Sequence, residues 1–359
     1  MKRFGILTSG GDCQGLNAAI RGVAKGLYGE FGTDQVELYG IKDGYSGLIY
    51  GNVELLNPAC FSGILTLGGT ILGTSRRPYK KMRTVEEDGV DKVAAMIRNY
   101  NALSLDCLVI LGGNGTQKTA NLLREEGLHV IHLPKTIDND IYGTDVTFGF
   151  QSAVEVATHV LDCIHTTATS HGRVFIVELM GHKVGWLTLA AGIAGGADVI
   201  LIPEIPYDLN SIAAALKVRQ EQGKKFSILA VAEGAISKED ALLPKKDLKR
   251  KRLQSPYPSV AYQLEKNLGS IIENEVRICL PGHFQRGGSP CAYDRILCTK
   301  LGARAAKLIR EENYGNMVGV VGGKTVPVPL NEAAGRLKAV PTGCDEVETA
   351  KEIGVVFGE

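Results

Sequence analysis

The chain has 359 residues, 44% of them hydrophobic, enough to fill the cores of two α/β domains and to exclude global disorder. Forty Lys and Arg against 39 Asp and Glu leave a net charge of +1, so no overall field draws nucleic acid or an anionic membrane, and any anion must be held by local groups. The eight cysteines show neither a C-x-x-C pair nor a zinc-type spacing and read as reduced, structural thiols. The basic N-terminus turns polar after about four apolar residues, short of the ~7–15 of a signal peptide. The most apolar stretch, 186–202, is interrupted by Gly195-Gly196-Ala197-Asp198 and followed by Pro203, so it reads as helix, turn and strand rather than a membrane span. A cytoplasmic protein with no nucleic-acid or membrane partner is expected.

In chain order, a strand is predicted over 4–7 and a helix over 17–31, joined by Thr8-Ser9-Gly10-Gly11-Asp12 and Gly15. Glycines at such a junction let backbone N–H groups face a phosphate at a helix N-terminus, although paired glycines also serve turn geometry alone. The spacing is neither that of a Walker A loop nor G-x-G-x-x-G. A strand over 107–111 and a helix over 116–126 repeat the arrangement around Gly112-Gly113-Asn114-Gly115-Thr116. The buried run 130–133 then leads into Pro134-Lys135-Thr136-Ile137-Asp138-Asn139-Asp140. A helix over 148–169, strands over 174–179, 199–202 and 228–231, and helices over 186–193 and 210–222 complete the alternation, which argues for parallel sheets with helices on both faces. The unit count places a domain boundary near residue 148. Residues 237–258, with Lys245, Lys246, Lys249, Arg250, Lys251 and Arg252, read as a solvated surface loop rather than a nucleic-acid patch.

The segment 135–140 is the most informative. If extended, it puts Thr136, Asp138 and Asp140 on one side, where one carboxylate can take a proton from an attacking hydroxyl while the other holds a metal. A turn capped by Asp and Asn accounts for one or two of these residues but not for Lys135 or the apolar approach strand. Arg76 and Arg77 before Pro78, Arg173 just ahead of a strand, Arg277 at the start of Ile278-Cys279-Leu280, and His283 with Arg286 at its end supply phosphate-binding groups. These residues alone read as a phosphotransferase with an aspartate base.

From Gly5 to about Leu308 the chain resembles the 6-phosphofructokinase family. The ordered motifs are Leu7-Thr8-Ser9-Gly10-Gly11-Asp12, Gly68-Gly69-Thr70 with Gly73-Thr74-Ser75-Arg76, Pro134 to Asp140, Glu178-Leu179-Met180-Gly181, and Gly282-His283-Phe284-Gln285-Arg286-Gly287-Gly288-Ser289-Pro290. The resemblance implies two Rossmann-like α/β domains with mainly parallel sheets and the active site in the cleft between them. It implies a donor-binding domain of 1–147 plus about 286–335, and a sugar-phosphate domain of 148–285 plus the C-terminal segment. By position it makes Asp138 the base that deprotonates the 1-hydroxyl of fructose 6-phosphate, with Thr136 holding the transferring group and Gly11 and Arg76 assisting. Asp140 and Asn114 would serve Mg2+. Gly11, Arg76, Arg77, Gly113, Asn114, Gly115, Thr116 and Lys135 would meet the donor. Met180, Gly181, His182, Glu233, His283 and Arg286 would hold the sugar phosphate, joined by Arg173 and Arg277, which in the family reach in from a neighbouring subunit. A homo-oligomer, dimer or tetramer, follows from that last point.

Within the family, Gly115 leaves room for the α-phosphate of ATP, where the aspartate of pyrophosphate users would crowd it. Lys135 instead resembles the pyrophosphate users. An intermediate subgroup combines both residues and uses ATP, and the chain is placed there, with pyrophosphate as the alternative donor. Asn114 stands in place of the expected acidic residue near Mg2+, and His182 in place of an arginine. These two changes leave open a third reading, a catalytically weakened regulatory paralogue.

Overall fold

A computed structural model describes all residues from Met1 to Glu359. Its strands are β1 (Lys2–Ser9), β2 (Val36–Ile41), β3 (Val53–Leu55), β4 (Cys107–Gly112), β5 (Val130–Thr136), β6 (Phe148–Gly149), β7 (Val174–Leu179), β8 (Val199–Leu201), β9 (Ser227–Ala232), β10 (Val276–Cys279), β11 (Asn316–Val321) and β12 (Lys324–Pro329). The chain divides into two compact units, Met1–Ser152 with Arg286–Lys338, and Ala153–Gln285 with Ala339–Glu359.

The first unit is built on one sheet in the order β12-β11-β5-β4-β1-β2-β3, with β6 paired to β5. The interior pairs β1–β2, β1–β4, β4–β5 and β5–β11 are parallel, whereas β2–β3 and β11–β12 close the edges antiparallel. Every residue of β4 is buried, as expected of a parallel strand covered by helices on both faces, which is why it reads as an apolar run rather than an alternation. On one face the helices Leu16–Phe31 and Ala292–Arg310 touch backbone to backbone. A Cβ added to Gly302 would collide with the backbone of Gly22 and Val23, so the crossing requires glycine there. On the other face, Met96 and Tyr100 of the helix Lys92–Ala102 and Ala120 and Leu123 of the helix Asn114–Glu125 pack on Leu7, Leu108 and Ile110.

In the second unit the sheet is wholly parallel, in the order β10-β7-β9-β8. Its alternation divides the core into two faces. Val177, Leu179, Ile200, Ile228 and Ala230 pack with the C-terminal residues Val347, Ala350 and Phe357, whereas Val174, Ile176, Leu201, Leu229 and Val231 pack with Ile212, Leu216 and Leu264.

One expectation is corrected. Residues 237–258 are not a loop: they hold the helices Lys238–Ala241 and Lys245–Gln254, neither with a buried residue. Ser237 caps the first by accepting from Asp240 N at 3.2 Å. The second consists largely of strong helix formers, with an Asp247–Arg250 pair at 2.9 Å one turn apart. High polarity hid a helix with no apolar stripe. The helix Lys92–Ala102 and strands β11 and β12 were also not anticipated. No helix is long and apolar enough to cross a membrane.

Candidate active site

Three predicted loops of the first unit emerge side by side. β1, β4 and β5 are adjacent and parallel, with Ser9 opposite Gly112 and Gly112 opposite Pro134. The segments beginning at Gly10, Gly113 and Lys135 therefore leave the same edge of the sheet. Sheet order also reverses between β1 and β4, and ligands bind at the carboxyl ends of strands at such a switch point.

At the first loop, Gly10 has φ +89° and donates its N–H to Ser75 O at 3.0 Å, while Thr74 Oγ1 donates to Gly10 O at 2.7 Å. These bonds bring Arg76 alongside. A Cβ on Gly11 would stand 2.7 Å from Arg286 Nη1 and 2.9 Å from Arg76 Nη2, so two guanidinium groups converge on a bare backbone. Beneath them, the buried Lys135 donates its Nζ to Gly11 O. Burial lowers the Lys135 pKa, and the neighbouring Cys13 thiol is pushed up to about 12 by burial, so Cys13 stays a neutral thiol. Arg77 diverges from this group: its Nε donates to Ser46 Oγ at 3.0 Å and its guanidinium lies 5.7 Å from the Tyr50 ring.

The second loop is a helix N-terminus. Asn114–Glu125 begins after Gly113, whose position carries no side-chain cap, so the first-turn N–H groups face outward as anion donors. Thr116 is buried, and its carbonyl accepts from Tyr45 OH at 2.8 Å. Gly115 is exposed, with nothing within 4 Å of where its Cβ would be. Asn114 Nδ2 donates to Arg336 O at 3.0 Å, which leaves Oδ1 as the atom available for a cation.

The third loop departs from the extended course expected for 135–140. β5 ends at Thr136, and Asn139 takes φ 53°, so strict alternation of Thr136, Asp138 and Asp140 stops at the strand end. Thr136 Oγ1 accepts from Asp138 N at 3.1 Å, and Thr147 Oγ1 donates to Thr136 O at 2.7 Å. Asn139 Oδ1 accepts from Thr147 N at 3.0 Å and from Lys338 Nζ at 2.9 Å. Asp138 is half-buried, and Asp140 is buried. Burial, reinforced by the Asp138 carboxylate, pushes the Asp140 pKa up to about 6. Lys338 is brought down to about 8 by burial, opposed by Asp145 and Asp140.

In the second unit the predicted residues fall into two groups. Met180, Gly181 and His182 follow β7, Glu233 follows β9 with Leu179 opposite Ala232, and His283 lies just beyond β10. Glu233 Oε1 accepts from Gly181 N at 3.3 Å and His182 N at 2.7 Å, while the buried Gln285 accepts from Met180 N at 3.2 Å. His182 and His283 are exposed. Arg173 and Arg277 lie at the opposite end of this sheet, because Arg173 precedes β7 and Arg277 stands opposite Phe175. Both pair with Glu275. The six residues of β7 separate Arg173 from Met180, about 23 Å over the seven steps at the ~3.3 Å rise of a parallel strand. One copy of this unit therefore does not bring both groups to one ligand.

Sequence reading missed Asn139 and Thr147 as organisers of the third loop, Gln285 as the brace of Met180, and Lys338. It also missed Asp294, whose buried carboxylate caps the helix Phe150–His171 by accepting from Gly149 N at 3.1 Å and Ser152 N at 2.9 Å. A local signal existed only for Asn139, inside the Asp-rich turn.

The sequence profile of the family described as Phosphofructokinase matches residues 3–309. The chain is 53% identical over 361 residues to an ATP-dependent 6-phosphofructokinase of Spirochaeta thermophila, covering 100% of this chain and 98% of that one. It is 45% identical over 374 residues to an ATP-dependent 6-phosphofructokinase of Propionibacterium freudenreichii, covering 99% of each. Among solved structures, the phosphofructokinase of Saccharomyces cerevisiae superposes with a TM-score of 0.78 at 29% identity, covering 98% of this chain, which spans 46% of the yeast chain. With a profile match over most of its length and such relatives end to end, the chain belongs to the phosphofructokinase family.

Proposed function

We propose that the chain transfers the terminal phosphoryl group of ATP to the 1-hydroxyl of fructose 6-phosphate, giving fructose 1,6-bisphosphate and ADP in glycolysis. The observation that carries this reading is the aligned edge of β1, β4 and β5, where the Gly11 turn, an uncapped helix N-terminus and the Asp138 loop leave one end of the sheet and two guanidiniums converge on Gly11. The hydroxyl oxygen attacks the terminal phosphorus, its proton passes to Asp138, and the bond from that phosphorus to the bridging oxygen of ADP breaks. Arg76 and Arg286, converging at Gly11, offset charge on the transferring group, and Thr136 helps to orient it. The first-turn N–H groups of Gly113 to Thr116 meet the donor phosphates. Lys135 acts from below, as a buried support of the Gly11 turn.

Met180, Gly181, His182, Glu233 and His283 hold the sugar phosphate in this reading. Arg173 and Arg277 serve a neighbouring copy, which their place at the far end of the second unit's sheet supports. A homo-oligomer, dimer or tetramer, is required on that account. Asp140 and the Asn114 Oδ1 suit Mg2+, which takes one or two carboxylates and completes its shell with substrate phosphates and water. When bound, the ion neutralises charge on the phosphates.

The space around Gly115 favours ATP, as do the names of the relatives. Lys135 favours the second reading, pyrophosphate as donor. Gly115→Asp separates the two, because the new side chain meets no protein atom and an acidic residue suits the first turn of a helix. The variant is expected to fold normally, lose most ATP turnover and gain pyrophosphate turnover in a coupled assay. Unchanged ATP turnover would show that position 115 does not select the donor.

A further inference from the structure

The segment Arg336-Leu337-Lys338 lies beyond the residues matched by the family profile, 3–309, yet it is tied to two of the three loops of the candidate site. Lys338 N donates to Asp140 O at 2.9 Å, and Leu337 forms an antiparallel bridge with Ile141. Lys338 Nζ donates to Asn139 Oδ1 at 2.9 Å, Thr144 O at 2.9 Å and Asp145 O at 2.8 Å. Three oxygens of the 139–145 turn therefore converge on one ammonium. Arg336 lays its guanidinium 3.5 Å from the centre of the Tyr142 ring, and its carbonyl accepts from Asn114 Nδ2. One short strap thus joins the loop of Asp138 and Asp140 to the N-terminus of the helix Asn114–Glu125.

From this geometry we propose that Lys338 is a positioning residue for phosphoryl transfer, holding the Asp138–Asp145 turn in the shape that aims Asp138, with the Arg336 carbonyl fixing the strap against Asn114 and its guanidinium fixing it against Tyr142. Strand β11 holds the far end of the turn, Asp145 N donating to Val320 O at 2.7 Å and Val320 N to Thr144 Oγ1 at 2.9 Å, whereas the strap supplies the ties to Asn139 and Asp140, next to Asp138, where Asn139 is held at φ 53°. An ammonium satisfies three acceptors arranged around a point, which neither a neutral side chain nor a single hydroxyl does. The inference rests on the reading of Asp138 as base.

Lys338→Met keeps the length of the side chain and removes its donors. The test compares it with wild type in steady-state kinetics, thermal melting and amide hydrogen exchange over 136–147. A fall in kcat of about 10- to 100-fold is expected, the cost of a small misplacement of a reacting group. KM for ATP and fructose 6-phosphate should stay within about twofold on the same ground, since the Lys338 ammonium is bonded to Asn139, Thr144 and Asp145, none of them assigned to a substrate. Exchange should quicken in 138–147 while the melting temperature of the whole chain changes little. Arg336→Ala, at the exposed end of the strap, gives a milder fall in kcat of the same pattern and decides the matter if Lys338→Met does not fold. Unchanged kcat and exchange in the folded variants would overturn the proposal, as would a loss confined to KM. Inactivity of the wild type with both donors would instead overturn the assigned reaction, and the exchange comparison would still judge the clamp.

Discussion

The loop after β5 and the loop after β7 each leave the carboxyl end of a central parallel strand, but they are held differently. The first, 137–147, is cross-tied by Thr147 to Thr136, by Asn139 to Thr147, and by Lys338 to three oxygens. None of these ties uses a group assigned to the substrates, apart from the backbone of Thr136. In the second loop, 180–182, the backbone hangs on Glu233 and Gln285, and Glu233 is itself a candidate substrate ligand. Chemistry at Asp138 depends on distance and benefits from a scaffold independent of ligand, whereas a binding loop can share its supports with the molecule it binds.

The largest effect expected from this contrast is at Asp138. Asp138→Ala should lower kcat by about 10²- to 10⁴-fold, the range of a lost general base, while ATP binding by calorimetry stays near wild type; retention of most of the rate would show that the base lies elsewhere. Next is Glu233→Ala, which frees the N–H groups of Gly181 and His182 together with a substrate ligand. KM for fructose 6-phosphate should rise about 10- to 100-fold, matching ~1.5–3 kcal/mol for hydrogen bonds to a charged group, with kcat less affected. A kcat-only effect would erase the distinction between the two loops. Gly11→Ala forces the ends of Arg286 and Arg76 aside, and since both are flexible the expected cost is about tenfold in kcat/KM for ATP.

The smallest effect is on stability under the first loop. His132, wholly buried in β5, has its imidazole pKa pushed down to about 3 by burial, from 6.5. The unfolded chain takes up a proton below pH 6.5 and the folded chain does not, so this stabilisation is complete above that pH and is lost as the pH falls towards 3. Between pH 7 and pH 5 the loss is about 2 kcal/mol. The melting temperature of wild type should therefore fall further over that interval than that of His132→Asn; equal falls would show that His132 is protonated in the folded state. β7 and β9, the central strands of the second unit, contain no counterpart histidine.

Much of this was legible in the sequence because the central strands are local and strongly patterned. The apolar run of β4 with its glycine exit, and the run into Pro134 and Lys135, announce buried parallel strands whose ends carry polar groups. β12 did not read as a strand because prolines at 327 and 329 mask its pattern, which an edge position tolerates. The helix Lys245–Gln254 has no apolar face to betray it. At the site, Gly11, Arg76 and the Asp138 loop were visible as motifs. The reach of Lys338 to Asn139 was not, because almost two hundred residues separate them and a lone lysine in a polar segment has no local signature. Nor does the sequence state that Arg173 and Arg277 belong to the other end of their sheet; that follows only from the register of β7 with β10.

The most direct measurement is a coupled assay of the wild-type chain with Mg2+ and fructose 6-phosphate, supplied in turn with ATP and with pyrophosphate. Formation of fructose 1,6-bisphosphate with ATP, and little or none with pyrophosphate, is the expected result. Turnover with pyrophosphate alone, or none with either donor in folded protein, would contradict the account.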